Sequence, residues 1–293
     1  MAKLRITTPA TSANLGPGFD FLGIALSLYN IYEFEESSEF IFSGFEGIKD
    51  NYVYLGYKKV FEKLNIVPIP LKISLVQKGI PEERGLGSSS SAIVAGVLAG
   101  IHYSGYAITS EEEILKMMIE LEGHPDNILP CFYGGLISTI KLDNEHNYYI
   151  NKMEVASNLH FIVTIPDYKI KTSDARKILK EKYPISDVIY NSSRVVLFSD
   201  AFSSGDINLL KIIMKDKIHE PYRKNLIKDY ERIKEFTKDL NVTCNISGSG
   251  PTILIISSDE MEALNISIKI NNEFDNIKAY VLKVSDGAKG EII

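Results

Sequence analysis

The chain has 293 residues, 45% hydrophobic and 24% charged, a composition typical of a folded globular protein, and its length favours two domains over one. A net charge of -6 with both signs interspersed argues against a nucleic-acid binder and favours small molecules as partners. The chain has two cysteines, Cys131 and Cys244, and their distance in the sequence argues against a disulfide framework or a zinc site. Because neither a signal-peptide pattern nor an apolar run of membrane length occurs, we expect a cytoplasmic protein with no membrane partner.

Strands, glycine-rich turns and helices alternate in the first half of the chain. Strand patterns begin at Leu4, cover 21–36 and return at 71–75, and the glycine-rich turn SANLGPGFD separates the first two. A helical spacing of apolar residues covers 51–64. Another helix is expected to begin near Ser89, and because its segment AIVAGVLAGI is apolar nearly all round, we predict that this helix is central and buried.

A further helix is predicted over 110–122 from its serine cap, from three glutamates in its first turn and from the stop at Gly123. The segment GHPDN that follows is expected to be a loop. The chain then becomes polar over 144–151, and this segment is the predicted boundary between a first domain, 1–150, and a second domain, 151–293.

The second half of the chain predicts a separate layer of strands and helices. Strands are expected at 159–165, on both sides of the glycine turn in NVTCNISGSGPTILIIS, and at 278–284. The predicted helices begin at about Ser173, Ile185, Ile207, Pro221 and Asp259.

Three glycine-rich turns, at 14–18, 85–91 and 247–250, each follow a predicted strand. Glycines let backbone amides approach a ligand closely and the positive end of a helix favours an anion, so GLGSSSS is a candidate phosphate cradle. Taken alone, this stretch is equally typical of a tight turn capped by serine. It differs from a P-loop and from the dinucleotide-binding fingerprint, and the sequence has no protein-kinase signature.

Glu122 ends its helix beside the GHPDN segment. Near a bound nucleotide, its carboxylate and a serine hydroxyl would be the hard oxygen ligands that Mg²⁺ prefers alongside phosphate and water. A solvated helix face is the more common setting of an isolated glutamate. His124 and Asp126 equally fit a turn, in which such residues are frequent.

Five blocks of the chain, in the same order, resemble the GHMP kinases, a family of small-molecule kinases. PEERGLGSSSSA is similar to the family's ATP-binding signature P-x-x-x-G-L-G-S-S-A-A, with Ser90 and Ser91 where alanines are usual. TPATSANLGPGFDFLGIAL, ELEGHPDNILPCFYGGL and ISGSGPT resemble its N-terminal, middle and C-terminal blocks. IKTSDARKIL and HEPYRKNL resemble the two arginine segments of the members that act on L-homoserine.

The resemblance implies an α+β, two-domain GHMP kinase fold, with an N-terminal part like domain 2 of ribosomal protein S5 and a ferredoxin-like C-terminal layer. It implies that Mg²⁺ lies near Ser89 and Glu122, while Glu120 of the same ELEG segment stays an alternative ligand. It also implies that the ATP phosphates are wrapped by Pro81, Glu82, Glu83, Arg84, Gly85, Leu86, Gly87, Ser88, Ser89, Ser90 and Ser91.

The resemblance further implies which residues contact an amino-acid substrate: Asn14, Asp20 and His124, with Arg176, Arg223 and Gly248 at its carboxylate end. The chemistry of these residue types agrees, because guanidinium forks match a carboxylate and an aspartate pairs with an ammonium group. In isolation, each arginine is more often a partner in a surface ion pair.

The expected function is MgATP-dependent phosphorylation of the side-chain hydroxyl of L-homoserine for threonine biosynthesis, with a homodimer as an option. Asn127 is expected to orient the hydroxyl, because an amide does not accept a proton as a carboxylate does, and the proton leaves through an ATP oxygen or water. Two alternatives stay open: a GHMP kinase for another small alcohol such as mevalonate, which Asp20 disfavours, and a non-catalytic nucleotide-binding module, which the joint presence of Ser89, Glu122 and both arginines disfavours.

Overall fold

The computed structural model describes residues 2–45, 51–143 and 148–293, and these residues form two β-sheets with helices packed against them. The first sheet contains seven strands: β1 (Leu4–Ala13), β2 (Leu22–Glu36), β3 (Ile41–Ser43), β4 (Leu71–Lys78), β5 (Leu136–Lys141), β6 (Tyr148–Met153) and β11 (Lys289–Ile292). The second sheet contains four: β7 (His160–Pro166), β8 (Val242–Ile246), β9 (Ile253–Ser257) and β10 (Ile277–Leu282). The order in the first sheet is β11-β1-β2-β4-β3, with β5 paired to β2 and β6 paired to β5.

Helices connect and cover the strands. The first half of the chain contributes α1 (Tyr52–Leu64), α2 (Ser88–Tyr103), α3 (Glu111–Glu122) and α4 (Pro125–Tyr133). After β7 come α5 (Thr172–Lys177), α6 (Ile185–Val195), α7 (Phe198–Ser204), α8 (Ile207–Ile213), α9 (Glu220–Arg223), α10 (Tyr230–Thr237) and α11 (Glu260–Glu273). No helix in the described part of the chain combines the length and apolar character needed to cross a lipid bilayer.

Most elements predicted for the first half are confirmed, including β1, β2, β4 and α1 to α3. The α3 helix begins as expected, because the Ser110 hydroxyl accepts a hydrogen bond from the Glu113 amide, and it ends at Gly123 in the left-handed conformation. The α2 helix is buried along most of its length and packs against α1 and β1, as its uniformly apolar sequence predicts.

The prediction of a loop at GHPDN is wrong. Pro125 is the first residue of α4, and His124 is its N-cap in an extended conformation. Proline suits the first helical position because its missing amide hydrogen would have no partner there. Turn-forming residues therefore mark the start of a helix here, and they bring Asp126 and Asn127 into its buried first turn.

The ferredoxin-like layer predicted for the second half is confirmed. The strands β7, β8, β9 and β10 follow one another along the chain, but they lie in the order β10-β7-β9-β8 and all pair antiparallel. Helices connect β7 to β8, a short turn connects β8 to β9, and α11 connects β9 to β10, which is the βαββαβ arrangement of ferredoxin-like folds. The sequence analysis missed α7 and α10, which are only 7 and 8 residues long.

The two parts of the chain are interleaved. The strand β6 pairs with β5, and β11 near the C-terminal end pairs antiparallel with β1, so both belong to the first sheet. Part of the predicted boundary segment, residues 144–147, lies outside the described residues. The division into 1–150 and 151–293 stays a prediction.

A hydrophobic core between the two sheets joins them. Ile24 and Leu136 contribute from the first sheet, Phe161 and Leu254 from the second, and Phe198 from α7, all nearly inaccessible to solvent. Burial of large apolar side chains of this kind stabilises a fold by roughly 1.5 to 3 kcal/mol each. The two sheets therefore pack as one body in the region that supports the glycine turns.

Two backbone turns meet where the sheets meet. Gly85 has a φ of 75°, and a Cβ atom built on it would lie 2.3 Å from the carbonyl oxygen of Ser247 in the turn between β8 and β9. The Thr252 amide donates to the Arg84 carbonyl at 3.2 Å, which fixes the same approach from the other side. Only glycine satisfies both the left-handed conformation and the close contact.

Replacement of Gly85 is therefore expected to destabilise the junction through collision as well as backbone strain. Gly85→Ala should lower the free energy of unfolding by more than about 3 kcal/mol, measured by urea denaturation. Gly105→Ala is the matched control, because Gly105 has a φ of 70° but no atom within 4 Å of its built Cβ. Gly105→Ala should lower the free energy of unfolding by only about 1 kcal/mol. Equal losses of stability in the two variants would contradict a collision at Gly85.

Candidate active site

A cavity of about 710 Å³ opens where the three glycine turns converge. Its lining includes Asn14 from the first turn, Gly85 and Gly87 from the second, and Gly248 from the third. The volume lies within the range of about 300 to 1,000 Å³ that is typical of small-molecule sites. The recurrence of glycine turns after strands, noticed in the sequence, thus corresponds to one shared site.

The structure brings most of the predicted site residues to this cavity. Lining positions are occupied by Asn14, Asp20, Glu82, Glu83, Arg84, Gly85, Leu86, Gly87, Ser88, Ser89, Glu122, His124, Asn127, Arg176, Arg223 and Gly248. Pro81, Ser90 and Ser91 lie outside the lining. Ser91 is fully buried, and its hydroxyl is hydrogen bonded to that of Thr8 at 2.7 Å, so its side chain belongs to the core behind α2.

The serine-rich end of the cavity has the geometry of an anion site. Gly87 caps α2 in the left-handed conformation with a φ of 69°, and α2 starts at Ser88. The first amides of a helix have no acceptor within it, and the helix dipole adds partial positive charge at the same end. The Ser89 and Ser90 hydroxyls both donate to Glu122 Oε1, at 2.7 and 2.8 Å, which draws α2 and the end of α3 together.

Of the two glutamates that the sequence leaves as alternatives, Glu122 lines the cavity, whereas Glu120 forms an ion pair with Lys59 at 3.0 Å. The described residues contain no cluster of three or more acidic, histidine or cysteine side chains that could bind a metal ion on its own. One carboxylate beside serine hydroxyls nevertheless fits Mg²⁺, which is commonly held by one or two carboxylates together with substrate phosphates and water.

The side chains at the start of the predicted phosphate loop serve mainly to hold the loop. The Arg84 guanidinium donates to the backbone carbonyls of Pro166, at 2.8 Å, and Asp167. Glu82 forms ion pairs with Lys78 at 2.6 Å and Lys169 at 3.5 Å. These contacts tie the loop to the end of β7, so the loop contributes its backbone and its serines to the cavity.

The opposite end of the cavity is strongly polar. Arg176 forms a two-pronged ion pair with Asp20, in which Nη1 donates to Oδ2 at 2.9 Å and Nη2 to Oδ1 at 2.6 Å. This hydrogen bonding raises the pKa of Arg176 despite partial burial. Asp20 itself has a φ of 68° and is held by its amide, which donates to Asn14 Oδ1 at 3.1 Å.

Arg223 is almost completely buried, with 2% of its surface exposed, yet it borders the cavity. Its Nη1 donates to the Gly248 carbonyl at 2.8 Å and its Nε to the Ala175 carbonyl at 3.3 Å. Desolvation, together with the nearby charge of Arg176, lowers its pKa to about 10, so the guanidinium is still charged at neutral pH. A buried cation that is bonded only to neutral carbonyls favours an anionic ligand.

Phe19 and His219, which sequence reasoning missed, support the two arginines. The Phe19 ring centroid lies 5.0 Å from the Arg223 guanidinium carbon and 5.6 Å from that of Arg176. His219 stacks on Phe19 at 5.4 Å, and its Nε2 donates to the Gly16 carbonyl at 2.8 Å. Burial lowers the pKa of His219 to about 4, so the ring is neutral at physiological pH and adds no charge beside Arg223.

Polar side chains of α4 occupy the middle of the cavity. Asn127 Oδ1 accepts a hydrogen bond from the Thr11 hydroxyl at 2.7 Å, while its amide nitrogen donates a longer one to Asp126 Oδ1 at 3.4 Å. His124 Nδ1 donates to Asp126 Oδ1 at 2.6 Å. Burial lowers the pKa of His124, but the hydrogen bond and charge of Asp126 outweigh burial, and the net pKa is raised. Thr11 carried no signal in the sequence.

An apolar wall completes the cavity beyond the serine loop. Its lining residues come from α1, β4, α2 and the connections around them: Phe45, Tyr52, Val53, Leu75, Ile80 and Ala92. No sequence pattern links them, so sequence reasoning missed them. Apolar lining next to an anion site suits a nucleotide, which has both a base and phosphates.

Family models match both halves of the chain. The family model described as "GHMP kinases N terminal domain" matches residues 51–135. The model described as "GHMP kinases C terminal" matches residues 198–276. The first of these segments includes the serine-rich turn and α4, and the second includes Arg223 and the turn at Gly248.

Curated relatives and a solved structure cover nearly the whole chain. A homoserine kinase of Clostridium beijerinckii is 37% identical over 298 residues, 99% of this chain and 98% of the relative. One from Clostridium botulinum is 38% identical over 92% of this chain and 90% of its own. The crystal structure of homoserine kinase from Cytophaga hutchinsonii superposes with a TM-score of 0.86 at 29% identity, over 99% and 97% of the two chains.

The buried His219 predicts a specific pH dependence of stability. Its pKa is about 4 in the folded protein and 6.5 when exposed, so between these values the unfolded chain binds the extra proton and stability falls as the pH falls. Relative to His219→Gln, the free energy of unfolding of the wild type should fall by about 2 kcal/mol in total from pH 6 to pH 4. Urea denaturation across this range measures the difference.

Comparison with the variant separates His219 from its neighbour Glu220. Burial raises the pKa of Glu220 to about 7, which stabilises the fold at low pH and acts in the opposite direction. This contribution is present in both proteins and cancels in the difference between them. Parallel pH profiles for the wild type and His219→Gln would contradict a neutral, buried imidazole at this position.

Proposed function

The chain belongs to the GHMP kinase family, and we propose that it is a homoserine kinase. It transfers the γ-phosphoryl group of ATP to the side-chain hydroxyl of L-homoserine, with ADP and O-phospho-L-homoserine as products, for threonine biosynthesis. The observation that carries the proposal is the pairing, in one cavity, of an anion cradle with a cluster of two arginines and one aspartate. The full-length similarity to proteins named homoserine kinase supports it.

The arginine cluster supports an α-amino acid as the acceptor. Arg223 and Arg176 attract the carboxylate through charge-assisted hydrogen bonds. On binding, the substrate carboxylate would take the place of Asp20 at Arg176, whose two Nη atoms Asp20 now accepts from. Asp20 attracts the α-ammonium group, and Asn14 and His124 line the same end of the cavity. Mevalonate also has a carboxylate but lacks an ammonium group, so Asp20 would be left without its ligand partner.

The serine-rich turn is proposed to bind the ATP phosphates through the amides at the start of α2 and through Ser88 and Ser89. Ser89 and Glu122 are the proposed ligands of Mg²⁺, which would neutralise charge on the phosphates. The helix dipole of α2 favours the same anionic groups. Phosphoryl transfer needs mainly alignment and charge stabilisation, and both are within the capacity of these residues.

Asn127 is proposed to orient the acceptor hydroxyl. The Thr11 hydroxyl occupies its carbonyl oxygen, and of the two hydrogens on its amide nitrogen one is donated to Asp126 at 3.4 Å, so the other is proposed to reach the substrate oxygen. An amide does not take up the proton, and Asp126 is engaged with His124. The proton is therefore proposed to leave through a phosphate oxygen or water.

We further propose that the enzyme works in the cytoplasm, with L-homoserine and ATP as its small-molecule partners and with self-association into a homodimer. Nucleic acids and membranes are not among the proposed partners. The net charge of -6 is consistent with small anionic substrates that are recognised locally, in the cavity, rather than through a basic surface.

A coupled assay of ADP release tests the proposed reaction. L-homoserine should support turnover, whereas kcat/KM should be at least about 30-fold lower with mevalonate, galactose or an amino alcohol without a carboxylate, since loss of one charged partner in a desolvated site costs roughly 2 to 4 kcal/mol. A reaction without acceptor measures background hydrolysis. Equal rates with all acceptors, or none with L-homoserine, would refute the proposal.

The proposed metal site has a matched pair of variants. Glu122→Gln should reduce kcat about a hundredfold, because a contact that stabilises charge in the transition state is worth on the order of 3 kcal/mol. Glu120→Gln removes the same charge two residues away, from a partly exposed ion pair with Lys59, and should retain kcat. The opposite result would assign the metal role to Glu120. Magnesium titration of both variants provides a second readout.

A further inference from the structure

Thr11 lies behind the cavity, at the point where β1, α4 and the serine-rich turn meet. The residue is fully buried and does not border the cavity itself. Its hydroxyl donates to Asn127 Oδ1 on α4 at 2.7 Å, and its backbone amide donates to the Leu86 carbonyl in the serine-rich turn at 3.1 Å. One residue of β1 thus contacts both the helix that carries Asn127 and the turn that borders the anion site.

The serine-rich turn also packs against the Thr11 side chain through Gly87. A Cβ atom built on Gly87 would lie 1.9 Å from Thr11 Oγ1 and 3.2 Å from Asn127 Oδ1. Because glycine has no side chain, the turn lies directly against the two oxygen atoms that share the hydrogen. The hydrogen bond between Thr11 and Asn127 is therefore the point at which the phosphate side and the acceptor side of the site touch.

The first sheet fixes the position of Thr11. At this position β1 pairs with β2, where Thr11 lies opposite Ala25, and the amide bonded to Leu86 attaches the serine-rich turn to β1. A side chain on a paired strand is placed more precisely than one on a loop. Thr11 therefore supplies a fixed reference position to which the turn and α4 are both attached.

The same hydrogen bond controls the direction in which the Asn127 amide faces. On the other side of the amide, Asn127 Nδ2 donates to Asp126 Oδ1 at 3.4 Å, which is longer than the usual range of about 2.7 to 3.2 Å. Rotation of the amide by half a turn would set its oxygen against the Asp126 carboxylate, and two acceptors cannot share a hydrogen bond. The shorter bond from Thr11 is the stronger of the two constraints on this amide.

We propose that Thr11 is a positioning residue that acts through Asn127: its hydroxyl holds the Asn127 amide nitrogen toward the acceptor hydroxyl, at a set distance from the phosphate-binding turn. This inference rests on the proposed phosphoryl transfer and extends it to a residue outside the cavity. Transfer requires close alignment of the acceptor oxygen with the phosphoryl group, and a misplacement of about 1 Å can lower the rate about a hundredfold.

A second threonine of β1 separates positioning from simple structural support. Thr8 is also fully buried, and its hydroxyl is hydrogen bonded to the Ser91 hydroxyl at the same distance of 2.7 Å, but this contact belongs to the core behind α2. Loss of either threonine hydroxyl leaves a buried polar partner without its bond and destabilises the fold. Only the Thr11 hydroxyl is bonded to Asn127, so only its loss should slow phosphoryl transfer.

Steady-state kinetics combined with urea denaturation test the proposal. Thr11→Val keeps the shape of the side chain but removes the donor, so kcat should fall roughly ten- to hundredfold while KM for ATP changes by less than about threefold. Thr11→Ser keeps the donor and should keep kcat within about threefold of the wild type. Thr8→Val should keep kcat, although its urea midpoint should fall about as much as that of Thr11→Val. Equal kcat values for Thr11→Ser and Thr11→Val, or for the two valine variants, would overturn the proposal.

A double-mutant cycle tests whether Thr11 acts through Asn127. Thr11→Val should lower kcat in the wild-type background but have almost no further effect on Asn127→Ala, because the group that Thr11 positions is then absent. Independent losses that multiply in the double variant would overturn the proposal.

The acceptor used in these assays keeps this test distinct from that of the proposed function. The cycle is measured with the acceptor that the wild type phosphorylates, whether or not this is L-homoserine. A different acceptor would refute the proposed substrate and leave the test of Thr11 in place. Absence of phosphoryl transfer by the wild type to every acceptor would overturn both.

Discussion

The close approach of two backbone turns, one from each sheet, is the constraint on which the site depends. A Cβ on Gly85 would collide with the Ser247 carbonyl, so no side chain separates the serine-rich turn from the turn that carries Gly248. The Ser247 hydroxyl donates to the Gly85 carbonyl at 2.6 Å and closes the contact. The two ends of the cavity belong to different sheets, yet they cannot move apart without breaking this junction.

The cavity separates two kinds of attraction for anions. At the serine end the attraction comes from helix amides and the helix dipole, whereas at the other end it comes mainly from the charge of Arg223, because Arg176 is paired with Asp20. The charged end costs free energy of folding, because a buried guanidinium loses its hydration. The carbonyls of Gly248 and Ala175 and the Phe19 ring offset part of this cost while leaving the net charge in place.

The sequence predicted the features that depend on local chemistry. The Ser110 and Gly123 caps, the buried α2 helix and the three glycine turns follow from residue types over a few positions. The full-length resemblance to a family added the arginines, whose segments show no local reason for a shared site. The α4 helix was missed because proline, aspartate and asparagine are as common in turns as in first helical turns.

Features that depend on distant contacts were beyond sequence reasoning. Thr11 meets Asn127 across 116 positions of the chain, and His219 reaches the Gly16 carbonyl across 203. No periodicity or motif in the sequence marks either pair of residues, so these contacts are seen only in the folded chain. The same holds for the exposed face of α6, because its spacing predicts an amphipathic helix without stating which side is turned inward.

The pairing of β11 with β1 has a consequence for synthesis on the ribosome. Leu4 pairs with Ile292, so the residues between β1 and β11 must be translated before these two strands can pair. Until then, one edge of β1 lacks its partner strand, and open edges of this kind recruit other chains. Until both strands have been made, this edge of β1 is a place at which a nascent chain can pair with another chain.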